Sequence, residues 1–198
     1  MKLAPYDELD VIREKLVGIG NASITAKQKR EQCDGLLLDL FLLAYIYGVD
    51  DINESLNLAT QVEVDGRLME DSVYRVIDGM TYSDRISRWV DENGNVDVDA
   101  ILRIAETEVT HNYNRGAFDS AKEVSGNAKR YGASGLTKTW QTMRDDKVRD
   151  THDALEGVTV PMEERFATPD GDSAMHPGDF AEPENNINCR CYLVYKTN

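Results

Sequence analysis

Cysteine is scarce in this chain. Three residues among 198, an odd number, exclude the disulfide-dense scaffold that small secreted domains rely on. Long apolar runs are missing as well. The longest, Leu36 to Val49, is shorter than a bilayer crossing and carries Asp39, so a buried helix is expected there and no membrane partner. No apolar leader follows Met1, which together with the cysteine count points to folding in a reducing cytoplasm. Positive charge is in deficit, with 22 Lys and Arg against 36 Asp and Glu and a formal net charge of −14. That balance argues against a protein whose whole surface grips nucleic acid. The phosphate-cradling P-loop, the dinucleotide glycine pattern and a Ser/His/Asp order are lacking too.

What remains is 41% hydrophobic and 29% charged, the composition of a globular chain long enough to bury a core. In the first half the apolar residues recur at helical spacing. Leu9, Ile12 and Leu16 give one apolar face to a first helix, which should stop at the Gly18–Asn21 breaker cluster. A second helix is expected from Thr25 through Cys33 into Leu36–Tyr47, with Gly35 as a bend and Gly48 at its end. Val73, Tyr74, Val76 and Ile77 suggest a third helix, and Ile86 with Trp89 a fourth. The Asp91–Asn95 turn is the expected boundary between an N-terminal helical region, 1–95, and a second unit, 96–198.

Beyond the turn, Asp97 to about Ser125 reads as one long connecting helix, with Ile101, Ile104, Ala105, Val109, Phe118 and Ala121 as its buried stripe. Residues 126–135 read as a glycine-bearing loop. Leu136 to Met143 alternates as a strand around Trp140, Val148 to Leu155 reads as a short helix, and Cys189 to Tyr195 as a closing strand. Between them, residues 157–186 are rich in Pro, Gly and Asp. The expected fold class is α+β: a mostly helical N-terminal region, the long helix, then a small domain with a short sheet and a long irregular loop.

Charge is unevenly placed in the second unit. Residues 115–149 carry eight basic and four acidic residues, whereas 150–189 carry one and ten. The basic stretch from Arg115 through Lys122, Lys129, Arg130, Lys138, Arg144 and Lys147 has two readings: a contact with packaged DNA, for which Lys122, Lys129 and Arg130 are the candidates, or a solvated face offset by the acid that follows.

Several residues stand out in order and spacing: Trp140, Asp146, Arg149, His152, Gly157, then Pro177-Gly178-Asp179 and Asn188-Cys189-Arg190-Cys191. Singly each is weak, since a Pro-Gly-Asp is a turn and a strand Trp is usually core. Together, with Arg103-Ile104-Ala105 and Thr107-Glu108 upstream, they resemble the C-terminal domain of the phage Mu protein F-like head morphogenesis family from about residue 100 onward. The sequence departs from that pattern at Glu106, where an arginine is expected, at Glu156, where aspartate is usual, and at His176, where an aromatic is typical. The resemblance implies a minor head protein of a tailed phage or prophage. Its implied location is the virion, after assembly in the host cytoplasm. Its implied partners are the portal and the major capsid or scaffolding protein, with packaged DNA as a further candidate. Domains of this kind can be fused to toxin or ADP-ribosyltransferase modules, and 198 residues leave no room for such a module.

Three residue sets invite chemistry of their own. Cys189 and Cys191, one residue apart on an expected strand, project to one face. With His152 they form most of a zinc site, for which His176 or an Asp would have to be the fourth ligand. The reading adopted is two small buried hydrophobes closing a sheet, with no cofactor; the zinc site and a redox-linked pair are the alternatives. Arg149 and His152, three apart on one helical turn, allow a general-base arrangement of a nuclease or transferase. The reading adopted is instead a buried polar network, with Arg149 on a carboxylate and His152 capping a carbonyl, and no catalytic residue. Arg190 is expected on the opposite face from the cysteines, paired with the acidic loop.

Overall fold

The computed structural model describes residues 8–56, 58, 60–132 and 135–197. Residues 133 and 134 of the expected glycine-bearing loop lie outside the described residues. Helix α1 (Leu9–Asn21) turns Ile12 and Leu16 inward and stops at the expected cluster. Helix α2 (Ala26–Ser55) starts from a reciprocal cap: the Gln28 N–H donates to Thr25 Oγ1 at 3.2 Å, and the Thr25 N–H donates to Gln28 Oε1 at 3.0 Å. Two N-terminal donors are thereby satisfied.

Helix α2 does not end at Gly48, nor does Gly35 interrupt it; it continues to Ser55. The reason lies on its partner, helix α5 (Val98–Gly126). A Cβ on Gly48 would sit 2.1 Å from the Tyr113 carbonyl oxygen, and one on Gly116 would sit 2.1 Å from that of Tyr45. The two glycines form a reciprocal notch where the helix backbones touch. Gly48 is a packing residue and not a terminator.

Between the long helices lie α3 (Gly66–Val73), capped by Asp65, and α4 (Tyr82–Ser87), capped by Thr81. The helix expected through Ile77 ends at Val73. Asp78 and Gly79, both at positive φ (51° and 73°), turn the chain so that Ile77 pairs with Met80, as a tight hairpin turn requires. After α5, a single turn α6 (Ala128–Tyr131) occupies part of the expected loop and ends at Gly132, with φ +70°.

The remainder is the small sheet unit. Strands β1 (Leu136–Gln141), β2 (Thr159–Pro161) and β5 (Tyr192–Thr197) form an antiparallel sheet in the order β2-β1-β5, with Trp140 opposite Leu193. The short helix α7 (Asp150–Asp153) precedes the irregular excursion, which holds a two-stranded ribbon of β3 (Phe166–Ala167) and β4 (Ser173–Ala174) and the short helix α8 (Pro183–Asn186). The fold is α+β, as expected. The closing strand begins only at Tyr192, so both cysteines precede it.

Two apolar clusters hold the chain. One joins α1, α2 and α4 to Ile101, Leu102, Ala105 and Val109 of α5. The other joins Phe118, Ala121 and Val124 of the same helix to Trp140, Phe166, Phe180 and Leu193. Helix α5 belongs to both. Among the described residues, no helix is long and apolar enough to cross a membrane.

Candidate functional site

The motif residues converge on Trp140, which is fully buried at the centre of β1. Its ring meets Phe166 edge-on at 5.2 Å and His152 at 5.7 Å, and Phe180 lies tilted at 5.6 Å. His152, on α7, stacks on Phe180 at 5.2 Å with 20° between the planes. This packing fixes the imidazole and turns Nδ1 toward the two thiols, 3.6 Å from Cys189 Sγ and 3.5 Å from Cys191 Sγ. The three ligand atoms all lie within 4.8 Å of one another, and all three residues are buried. Hydrogen bonding with Cys191, and with His152, holds the Cys189 thiol well below its ordinary range against the opposing effect of burial. The hydrogen bond with Cys189 and burial push Cys191 up.

Helix α5 positions the cysteine segment through its backbone. Asn188 takes a left-handed conformation, φ 56°, and its N–H donates to Thr107 Oγ1 at 3.1 Å. Two turns along, Asn114 Nδ2 donates to the Cys191 carbonyl at 3.0 Å. A cleft of about 610 Å³ opens in front of this segment, lined by Arg103, Glu106, Lys147, Arg149 and Arg190 with the Asn188-Cys189 backbone. Glu106, the departure from the family pattern, places one negative charge among four positive ones here. A smaller pocket of about 10 Å³, sharing part of that lining, is bounded by His152 and both cysteines.

A second polar cluster ties the excursion to the helices. Gly178, φ 91°, lies so close to α5 that a Cβ would be 2.8 Å from His111 Nδ1. Its carbonyl accepts from Arg75 Nη1 at 2.6 Å and from His111 Nδ1 at 3.1 Å. Arg75 also pairs with Glu108 at 3.0 Å, and Arg85 pairs with the same carboxylate at 2.6 Å, the Glu108 side chain being 1% exposed. Asp179 accepts from the Met175 N–H at 2.9 Å and pairs with Arg165 at 3.2 Å.

Several expectations need correction. Arg149 meets no carboxylate among the described residues; its Nη2 donates to the Ile187 carbonyl. His152 caps no carbonyl, since Nδ1 faces thiols and Nε2 has no hydrogen-bond partner. Arg190 pairs with Asp145, which precedes the acidic loop, at 2.7 Å through each nitrogen. His176 is absent from the His152 cluster; it lies 5.8 Å from the His111 ring and 5.2 Å from Phe118. Asp146 is exposed, and Gly157 supplies a positive φ of 75° in the turn before β2. Pro177 is buried beside Gly178, its carbonyl 3.0 Å from His176 Nδ1.

The basic stretch is not one surface. Lys122, Lys129 and Arg130 are exposed, Arg115 pairs with Asp119, and Arg144 pairs with Glu156. Lys138 is fully buried, donating to the Met175 carbonyl at 2.8 Å between the rings of Phe118 and Phe166. Burial pulls its pKa down to about 8. Strand alternation puts Lys138 on the face of Leu136 and Trp140, a signal present in the sequence. The α5 contributors Thr107 and Asn114 were not picked out as site residues; they lie in a mostly polar stretch, Glu106 to Arg115, where only Val109 and Tyr113 are apolar or aromatic, so no apolar stripe marks which polar side chains turn inward.

Residues 69–194 match the family described as phage Mu protein F like protein. Among curated proteins, the NAD(+)--arginine ADP-ribosyltransferase EFV of Enterococcus faecalis is 32% identical over 122 residues. That stretch is 60% of this chain and 23% of the relative, so the chain spans less than a quarter of the protein it matches. No solved structure matches.

Proposed function

This chain belongs to the phage Mu protein F-like family, and from that membership we propose that it is a minor head protein of a tailed phage or prophage, acting in head assembly beside the portal. The match over residues 69–194 is the observation that carries the reading. It takes in the sheet unit as far as Val194 in β5, and also α4 and α5, the elements through which the motif residues are anchored. Residues 1–95 then act as the adaptor toward portal, scaffolding or major capsid protein. The exposed Lys122, Lys129 and Arg130 are the surface offered to packaged DNA, a contact whose strength should fall steeply with salt.

A non-enzymatic role is supported by the state of the one pair considered for catalysis. A general base must reach its substrate's proton. His152 is 1% exposed with Nδ1 held against two thiols, and Arg149 is engaged by Ile187. The transferase relative supplies the competing reading. Its name describes a protein of which this chain matches 23%.

Mass spectrometry of procapsids and purified virions, with a portal pull-down, tests the first reading. The protein is expected in procapsids and with portal. Detection only as free protein in infected cells would sink it. Incubation of the full chain with labelled NAD and an arginine-bearing acceptor tests the second, and label transfer above a heat-inactivated control would favour it.

A further inference from the structure

We propose that His152, Cys189 and Cys191 bind one zinc-class divalent cation through Nδ1 and the two Sγ atoms. The site is independent of whether the chain acts in heads. Tetrahedral zinc with bonds of about 2.0–2.1 Å to nitrogen and about 2.3 Å to sulfur sets its nitrogen and sulfur ligands about 3.6 Å apart. Here the two separations are 3.6 Å and 3.5 Å.

Hydrogen bonding accounts for the cluster less well. A ring nitrogen has either one lone pair or one proton to offer, yet two thiols approach the same Nδ1 at nearly the same distance. A cation at their common centre satisfies both. The donor chemistry selects the metal class: two thiolates and an imidazole suit zinc and discriminate against magnesium and calcium, which prefer oxygen.

Charge and space agree. On binding, two sulfur–metal bonds and one nitrogen–metal bond form while the two S–H protons pass to solvent. The dication is neutralised by two thiolates, so the buried site carries no net charge. His152, Cys189 and Cys191 together line a pocket of about 10 Å³, the space one water needs. A water there would complete the tetrahedron. The ligands come from α7 and from the segment preceding β5, on either side of the irregular excursion. A metal would therefore close that excursion at its base.

The test uses the full chain purified under mild reductant without added metal, with zinc measured per chain and cobalt(II) exchanged in. Stoichiometry near one zinc is expected. The cobalt form should show visible d–d bands of a tetrahedral ion and a thiolate-to-cobalt charge-transfer band. His152→Phe keeps an aromatic ring stacked on Phe180 and should lose the metal while remaining folded by circular dichroism. His152→Cys should retain the metal and intensify the charge-transfer band, which separates loss of a ligand from loss of the fold. Three freely titrating thiols with no uptake of added zinc or cobalt would overturn the proposal. So would a mass lower by two hydrogens that maps to a Cys189–Cys191 disulfide, or full metal retention in His152→Phe.

Discussion

From α1 to the middle of α5 the chain is held by apolar side chains at helical spacing, Leu16, Leu37, Phe41, Ile86 and Ile101 among them, with helix faces meeting helix faces. From Val158 to Ile187 there is little regular structure to pack, and polar groups take over. One carboxylate shows how. Asp172 accepts from the backbone N–H of Ser173, Ala181 and Glu182 and from Asn185 Nδ2, at 2.7 to 3.2 Å. Asn186 bridges the Phe180 N–H and carbonyl. Buried irregular backbone must find partners for its N–H and C=O groups, and here short polar side chains provide them. Apolar packing tolerates substitution by graded amounts, whereas a polar framework fails where one partner is removed.

The place where the two regions meet should be the most sensitive. Glu108 is buried between Arg75 and Arg85, and Arg75 continues to Gly178. Glu108→Ala strands two guanidinium groups beside buried backbone, and a cost of about 3 kcal/mol or more is expected. The two regions each carry one tryptophan, Trp89 and Trp140. Denaturation followed by helix circular dichroism and by the fluorescence of a Trp89→Phe background, which reports Trp140, shows whether they part. Coincident transitions in the parent and separate ones in Glu108→Ala are expected. Coincidence in both would show that the apolar surface of α5 alone couples the regions.

Within the helical region the expected weak point is the notch. Gly48→Ala puts a methyl group against the Tyr113 carbonyl, backbone that cannot swing aside. A loss of about 2 kcal/mol is expected. Gly116→Ala should act alike, and the double variant should lose less than the sum because both force apart one crossing. Gly35→Ala, with nothing near its Cβ, is expected to stabilise slightly. A drop in melting temperature there equal to that of Gly48→Ala would refute the notch.

In the excursion, Asp172→Ala leaves four donors without their acceptor, and a loss of about 1–2 kcal/mol is expected. Burial opposes ionisation of Asp172, but hydrogen bonds from Asn185, Glu182, Ser173 and Ala181 hold its pKa below the ordinary value. A depressed carboxylate pKa contributes stability above the unfolded-state value, and that contribution is lost as pH falls through the folded one. Asp172→Asn should therefore weaken the protein at neutral pH and narrow the difference from the parent in strong acid. Chemical denaturation at both pH values measures it.

These contrasts explain what could be read from the sequence. The α1 stripe, the Thr25 cap, the Asp97 start of α5 and the alternation around Trp140 are local, and each was legible from a few neighbouring residues. Gly48 was not, because the backbone it makes room for belongs to another helix. Lys138 was misplaced by counting charge along the chain, although the alternation that buried Trp140 buried it too. The nearness of His152 to the cysteines was anticipated. Their position ahead of β5, the carbonyl that engages Arg149 and the anchoring by Thr107 and Asn114 depend on the path of an irregular segment. No periodicity encodes such a path.

The smallest expected effect belongs to His176, where the two kinds of packing overlap. The residue lies in the polar excursion but is itself fully buried against Phe118, with Nδ1 directed at the Pro177 carbonyl. Burial lowers its pKa from 6.5 to about 4 despite the nearby carboxylate of Asp179. The sign follows: below pH 6.5 the unfolded chain takes up a proton that the folded chain refuses until about pH 4, so stability falls through that window and is unaffected above it. Near about pH 5.5 the loss is about 1 kcal/mol. His111 is lowered well below its ordinary value by burial and by Arg75, and adds to the same limb. His176→Phe keeps a ring against Phe118 and removes one titrating group. Its stability should be close to the parent's at pH 7.5 and its decline toward pH 5 shallower, by denaturant midpoints across the range. An unchanged acid slope would assign the limb to His111, on the helix side of the boundary; a slope removed entirely would assign it to the excursion.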